Sequence, residues 1–547
     1  MRTLLRAVAI ASLLLSHSAF ASTSWQRIDE AFAAGSIDAP TRAIYGLRAL
    51  KAPETLPAEF RPEPGERPPR CATPLFHRAW LERDAFTPAQ AAEYAFFAAR
   101  PTLASVSNGV NTTVHYGSPT PLSFANQVAA IADSAWNIEF TTFGFLAPLP
   151  DAGAGGNDPD TGTDIYLQVG INYAYTATEA TNPATPWDDA TAYTVIDPGL
   201  PNIETYVAHE LNHDSQYAYD AAEADVLYEA TAVFIEDKVF GASNDYVSFV
   251  ADFQAHPERN LTFATYDDSY MYGAGIWLRW LSDKHASGST SIVRSIWENS
   301  KQNDTTNTKT FFQALDGTVL PAAGIANVQA MVQEFSGYRW LSGANSDGWS
   351  SEASLWQTVA PIQGFTLSNG TDANTTTNPP QALGVNYIAV DATGGVAGDK
   401  LTFTLHGGSG TSWGVTKIEI PPTGAATVTP SSIDSGDGLV RIASSDLNGK
   451  SKVVFAVTNL GTAGQAPDSA DNSTTPAGHL GNVTPTSFTY DVFYSATGMD
   501  PAGAAAAPSS CKCDMGAKPS RGFPAFTGFA LLALFSLRRA ASRRTGR

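Results

Sequence analysis

The stretch Thr205–Tyr217 constrains this chain more than any other, because it holds the pattern H-E-x-x-H as His209-Glu210-Leu211-Asn212-His213. On a helix, residues four apart share a face about one turn apart, so both imidazoles can aim at one point. Two neutral rings about 2.0–2.1 Å from that point supply two corners of a tetrahedral zinc site. Glu210 flanks the same face, where its carboxylate can act as general base toward a water on the metal. Ile203, Val207 and Leu211 add an apolar stripe at helical spacing, so the helix packs on a core rather than displaying two surface histidines. Leu211 lies inside the motif, which predicts that the motif is partly buried.

A catalytic zinc site needs a third protein ligand and an open fourth position. Val226–Asp237 is a second helix-compatible stretch, with Glu229 sixteen residues after His213 and small Ala230 and Ala232 beside it. Here the sequence resembles the gluzincin metallopeptidases, in which H-E-x-x-H is followed by a helix bearing a glutamate ligand before small residues. The resemblance covers Thr205–Asp237 closely and extends loosely to Tyr338. It implies a metal set of His209, His213 and Glu229, with Glu236 and Glu223 as rivals for the third place, because the gap after His213 is shorter than in the best-known members. Glu236, two turns beyond Glu229, reads as a residue that orients a ligand or ends the helix. The resemblance also implies a Tyr or His that donates to the oxyanion; Tyr272 is the candidate, Tyr270 the next, and an ordinary core tyrosine the plain alternative. No third histidine follows in the metzincin arrangement.

Upstream, Met1–Ala21 has the form of a secretory signal: Arg2 and Arg6, an apolar run from Ala7 to Leu15, and Ala19-Phe20-Ala21 as cleavage site. Residues 22–110 read as helical, interrupted by the proline-rich Pro57–Pro69, and fit either a pro-region or a subdomain packed permanently on the enzyme. Pro69-Arg70-Cys71 resembles, over that tripeptide, the cysteine switch of matrix metalloproteinases. A small buried thiol, or a disulfide to Cys511 or Cys513, are the other readings of Cys71. Strands at Asn111–Tyr116, Asp164–Val169 and Ala192–Ile196 precede the metal helix, and one edge of their sheet can hold an extended peptide. Asp151–Asp164 is rich in Asp and Gly but misses the EF-hand spacing, so it reads as a solvated loop, with Ca²⁺ as the alternative.

Downstream of the metal helices the pattern stays helical to about residue 363. From residue 364 to 497, short alternating runs separated by turn signals predict an antiparallel β-sandwich. An Ala/Pro/Gly linker at 498–510 leads to a tail at 511–547, with Cys511-Lys512-Cys513, the apolar run Gly522–Leu537 and five arginines from Arg538 on. The tail resembles the MYXO-CTERM sorting signal of certain Gram-negative bacteria, which implies insertion in the membrane before processing; a plain single-span anchor is the alternative. Both predict an exported protein at the cell surface or in the medium.

The expected fold is therefore an α+β zincin-like metallopeptidase domain (111–363) with a mainly helical lower half, followed by an all-β sandwich domain. Net charge is −20, and the signal and tail are basic, so the body between them is more acidic still, which excludes a nucleic-acid binder. The function expected is zinc-dependent hydrolysis of protein or peptide substrates. A surface adhesin or glycan-binding protein on an inactive zincin scaffold is the alternative.

Overall fold

A computed structural model describes residues 23–156, 162–264, 268–301, 310–367, 374–431, 440–463, 465 and 484–495. The signal segment and the whole tail lie outside them. Among the described residues no helix is long and apolar enough to cross a membrane.

The protein is a mixed α/β structure. Helices α1 (Ser24–Ala33), α2 (Ala39–Lys51), α3 (Thr73–Glu82) and α4 (Pro88–Phe97) come first. Thr23 and Asp38 cap α1 and α2 by accepting from Gln26 N and Thr41 N, and Pro40 sits in the first turn of α2, where its missing N–H costs nothing. Next come β1 (Ser105–Asn108), β2 (Thr112–Tyr116), α5 (Leu122–Trp136), β3 (Thr163–Leu167), β4 (Ala174–Thr181) and β5 (Ala190–Ile196). These strands form one mixed sheet in the order β1-β2-β3-β5-β4. β2, β3 and β5 run parallel, while β1 and β4 are antiparallel to their neighbours, so β4 is an edge.

Strand alternation sends side chains to opposite faces, and both faces of this sheet are covered. Val114, Ile165, Ala174 and Ile196 pack with α5 and with α6 (Ile203–Tyr217). Tyr175 and Ala177 of β4, with Tyr173 just before it, face the other way, into a core shared with α2 and α3, where the Phe76 and Tyr175 rings stack at 4.2 Å. β4 was not foreseen from sequence, since its Ala/Thr/Tyr alternation lacks the large β-branched residues that mark strands.

α6 is followed by α7 (Asp225–Phe240), α8 (Val247–Ala255), α9 (Tyr270–Gly273), α10 (Gly275–His285), α11 (Ser291–Ser300), α12 (Phe311–Ala314), α13 (Leu320–Ala322) and α14 (Val328–Trp340). The remaining strands are β6 (Gln363–Thr366), β7 (Asn374–Thr375), β8 (Val385–Asp391), β9 (Lys400–Gly407), β10 (Thr411–Ile420), β11 (Thr427–Pro430), β12 (Val440–Asp446), β13 (Lys452–Thr462) and β14 (Phe488–Ser495). They form two sheets, ordered β11-β10-β13-β8-β6 and β12-β9-β14-β7. Phe403, Phe455, Trp413 and Tyr490 from the two sheets share one core. The outer face of the first sheet packs on α14 through Trp340, Tyr387, Ile418 and Val454.

Candidate metal centre

α6 is buried on every side: of its residues only Glu204 is partly exposed. An amphipathic stripe does not describe it, because its polar residues are buried too and are paired. Asn212 donates to Glu139 Oε2 at 3.1 Å, Thr163 donates to Asp214, and Ser215 donates to the Leu146 carbonyl at 2.6 Å. A helix so placed is fixed in rotation by its hydrogen bonds as well as by its apolar contacts.

That rotation turns His209 and His213 toward α7, with ring centroids 4.7 Å apart and nearly perpendicular planes. Opposite them stands Glu229, whose Oε2 is 3.1 Å from His209 Nε2 and whose Oε1 is 3.6 Å from His213 Nε2. Ala230, fully buried beside it, leaves room for the Gly275 turn of α10 to approach the α7 backbone. The fourth member is Cys71, from the segment before α3, with Sγ 3.5 Å from His213 Nε2. One ligand atom from each of Cys71, His209, His213 and Glu229 lies within 4.8 Å of every other, and all four residues are buried.

Ligands at about 2.0–2.3 Å around a tetrahedral ion stand roughly 3.3–3.7 Å from one another, and the 3.1, 3.5 and 3.6 Å separations among these atoms lie close to that spacing. Electrostatics agree. Burial, then the Arg70 guanidinium, holds His209 well below the usual imidazole range, and burial, then His209, does the same to His213. Both rings are therefore neutral, as ligands must be. Burial, then the Glu210 carboxylate, pushes Glu229 well above the carboxylate range. Glu210 Oε1 and Glu229 Oε1 are buried without an N–H or O–H donor among the described residues.

The surrounding groups orient this set. With His209 Nε2 toward Glu229, its Nδ1–H donates to Glu236 Oε2 at 3.0 Å, and Arg70 donates to the same oxygen at 2.9 Å. Glu236 thus holds a ligand ring without entering the cluster. His213 Nδ1–H donates to Gln216 Oε1 at 2.7 Å. The other rival, Glu223, lies outside the cluster; its carboxylate accepts from Ala224 N at 2.8 Å, and burial lifts it to about 8. Glu210 Oε2 accepts from Thr176 Oγ1 at 2.9 Å and Thr73 Oγ1 at 3.1 Å, and burial raises the carboxyl to about 7.

Tyr272 reaches the centre: its hydroxyl donates to the Cys71 carbonyl at 3.2 Å, and its ring lies 6.4 Å from that of His209. Gly273 allows this, since a Cβ there would come within 2.5 Å of the Phe249 carbonyl of α8. Tyr270 points away, to the Arg259 and Asn260 carbonyls. Residues 152–156 of the Asp151–Asp164 stretch are mostly exposed, as in a solvated loop, while the end side chains turn inward. The Asp151 and Asp164 carboxylates both pair with Arg100, which also pairs with Glu179, so a guanidinium meets the charge a Ca²⁺ ion would take. Residues 157–161 between them lie outside the described residues.

No protein-family model matches the chain, and no curated protein matches it. Among solved structures, the chain is similar to CorA, described as a surface-associated copper-binding protein important in copper acquisition by Methylomicrobium album BG8. The match covers 24% of this chain and 98% of that one, at 11% identity and a TM-score of 0.16, and carries no argument about fold or function.

Proposed function

We propose that the chain is an exported zinc endopeptidase, an α+β zincin-like, gluzincin-type unit followed by a β-sandwich that serves as spacer or binding module. The observation that carries this reading is the convergence of His209, His213 and Glu229 on one point, with the Glu210 carboxylate beside them and a sheet edge alongside. His209 Nε2, His213 Nε2 and the Glu229 carboxylate would hold the ion. Zinc bound there supplies Lewis acidity and an activated water for attack on a peptide carbonyl. Glu210 takes the water's proton at Oε1, the carboxylate oxygen without an N–H or O–H donor, and passes it to the leaving amine. Its rise to about 7 by burial suits a group that must both take and give a proton near neutrality. Tyr272 Oη–H donates to the oxygen on which charge develops. β4 offers its edge amides and carbonyls to an extended peptide. Export rests on the signal-like Met1–Ala21 and the sorting-type tail.

One observation favours a second reading. Four protein ligands are what structural zinc sites have, so with Cys71 in place the centre also fits a non-catalytic surface protein, an adhesin or glycan binder. Glu210→Gln separates the two. In any form of the protein that hydrolyses casein, the substitution keeps full metal content and lowers that hydrolysis by about 100-fold or more. Hydrolysis that the substitution leaves unchanged would remove Glu210 from the mechanism, and a zinc-loaded protein that hydrolyses no casein in any form would remove the peptidase reading.

A further inference from the structure

Arg70-Cys71-Ala72-Thr73 lies along the free edge of the first sheet. Cys71 forms a parallel bridge with Ala174 of β4. Ala174 N donates to the Arg70 carbonyl at 3.2 Å, Ala72 N donates to the Ala174 carbonyl at 2.8 Å, and Thr176 N donates to Thr73 Oγ1 at 2.8 Å. Side chains alternate along this short strand, and each meets a part of the site. The Arg70 guanidinium sits over the rings of Tyr206 and Phe249 at 4.4 and 4.9 Å and pairs with Glu236. Cys71 Sγ faces the metal ligands, its carbonyl accepts from Tyr272, and Thr73 Oγ1 donates to Glu210.

A cysteine in a core pocket would need none of this. Cys71 belongs to the apolar core on one side, but its Sγ is 3.5 Å from His213 Nε2 and within 4.8 Å of a ligand atom of His209 and of Glu229, whose Oε1 is buried without an N–H or O–H donor among the described residues. Four consecutive residues also take up the sheet edge, the general base and the oxyanion donor, the groups an extended peptide substrate would use.

We infer that Arg70–Thr73 is an internal ligand of the cleft: Cys71, as thiolate, is the metal's fourth protein ligand, and the segment lies where a peptide substrate binds, so the enzyme is latent while it stays there. The segment is held at both ends. Before it, Ser24 and Arg27 of α1 bind the carbonyls of Phe60, Glu59 and Arg61; after it, α3 is buried in the core through Leu75, Phe76 and Ala79. Between Arg61 and Arg67 the chain is mostly exposed, so the segment can come away from its N-terminal side while α3 keeps its place.

The latency rests on the peptidase reading; the ligation by Cys71 does not. The test uses the full chain loaded with zinc, as wild type, Cys71→Ser, Cys71→Ala and the Cys71→Ser/Glu210→Gln pair. X-ray absorption at the zinc edge should show one sulfur at about 2.3 Å in the wild type and none in the Cys71 variants, with zinc still bound. Casein hydrolysis should rise from background in wild type to at least about 100-fold above it in both single variants, and return to background in the pair. A wild-type zinc shell of nitrogen and oxygen alone overturns the inference, whether or not the protein hydrolyses casein. A sulfur in the wild-type shell with wild type as active as Cys71→Ser overturns the latency. A sulfur in that shell with both single variants inert and zinc-loaded also overturns it, and takes the peptidase reading with it, leaving Cys71 as a structural ligand.

Discussion

Glu229 and Glu236 stand two turns apart on one face of α7, and the structure gives them different work. Glu229 faces both Nε2 atoms, while Glu236 accepts from His209 Nδ1 and from Arg70. Glu229→Ala removes a direct ligand and should abolish stable zinc binding in competition with a chelating dye. Glu236→Gln keeps an oxygen for the His209 N–H and should weaken zinc by about 10–100-fold at most. Equal losses in the two would mean that Glu229 is not a direct ligand. Glu236→Ala is the poorer probe, because it also takes the nearer carboxylate from Arg70 and leaves that guanidinium only the Asp245 carboxylate among the described residues, at 3.7 Å. Much of this was legible at the residue scale, since H-E-x-x-H sets two imidazoles on one helix face with a carboxylate beside them, and the gluzincin resemblance pointed to Glu229 although its gap after His213 is short. Cys71 was legible only as one reading among three. It lies 138 positions before His209, and no local pattern records a contact made by tertiary folding.

At the scale of elements, helices and long strands followed from periodicity, and the misses have physical causes. β4 pairs with only one regular strand, and its Ala174 and Thr176 must be small so that α6 can approach. β6, β7 and β11 are two to four residues long, too short to show alternation. The full burial of α6 escaped because its polar residues are satisfied by distant partners, such as Glu139 and Thr163, that no window around residue 210 contains. The contact between α14 and the β11-β10-β13 edge of its sheet is close: a Cβ at Gly337 would stand 2.4 Å from Val428 Cγ1. Gly337→Ala should therefore destabilise by about 1–3 kcal/mol in urea unfolding, although alanine is the better helix former. Val428→Ala added to it should recover part of that loss. Additive costs in the double variant would show that the two residues do not touch.

Across the whole molecule, the four candidate ligands come from three places in the chain: the segment before α3, α6 and α7. An ion held there would join the N-terminal helices to the helices behind the sheet, and its binding energy would count toward folding. Among the described residues, the two later sheets add none to this centre. The four candidate ligands meet at one point in space, and crystals of the full chain grown with zinc address it directly. An anomalous difference map at the zinc edge should show one strong peak about 2.0–2.3 Å from Cys71 Sγ, His209 Nε2, His213 Nε2 and a Glu229 carboxylate oxygen. A zinc-loaded crystal with no peak there, or with the peak on Glu236 in place of Glu229, would contradict it.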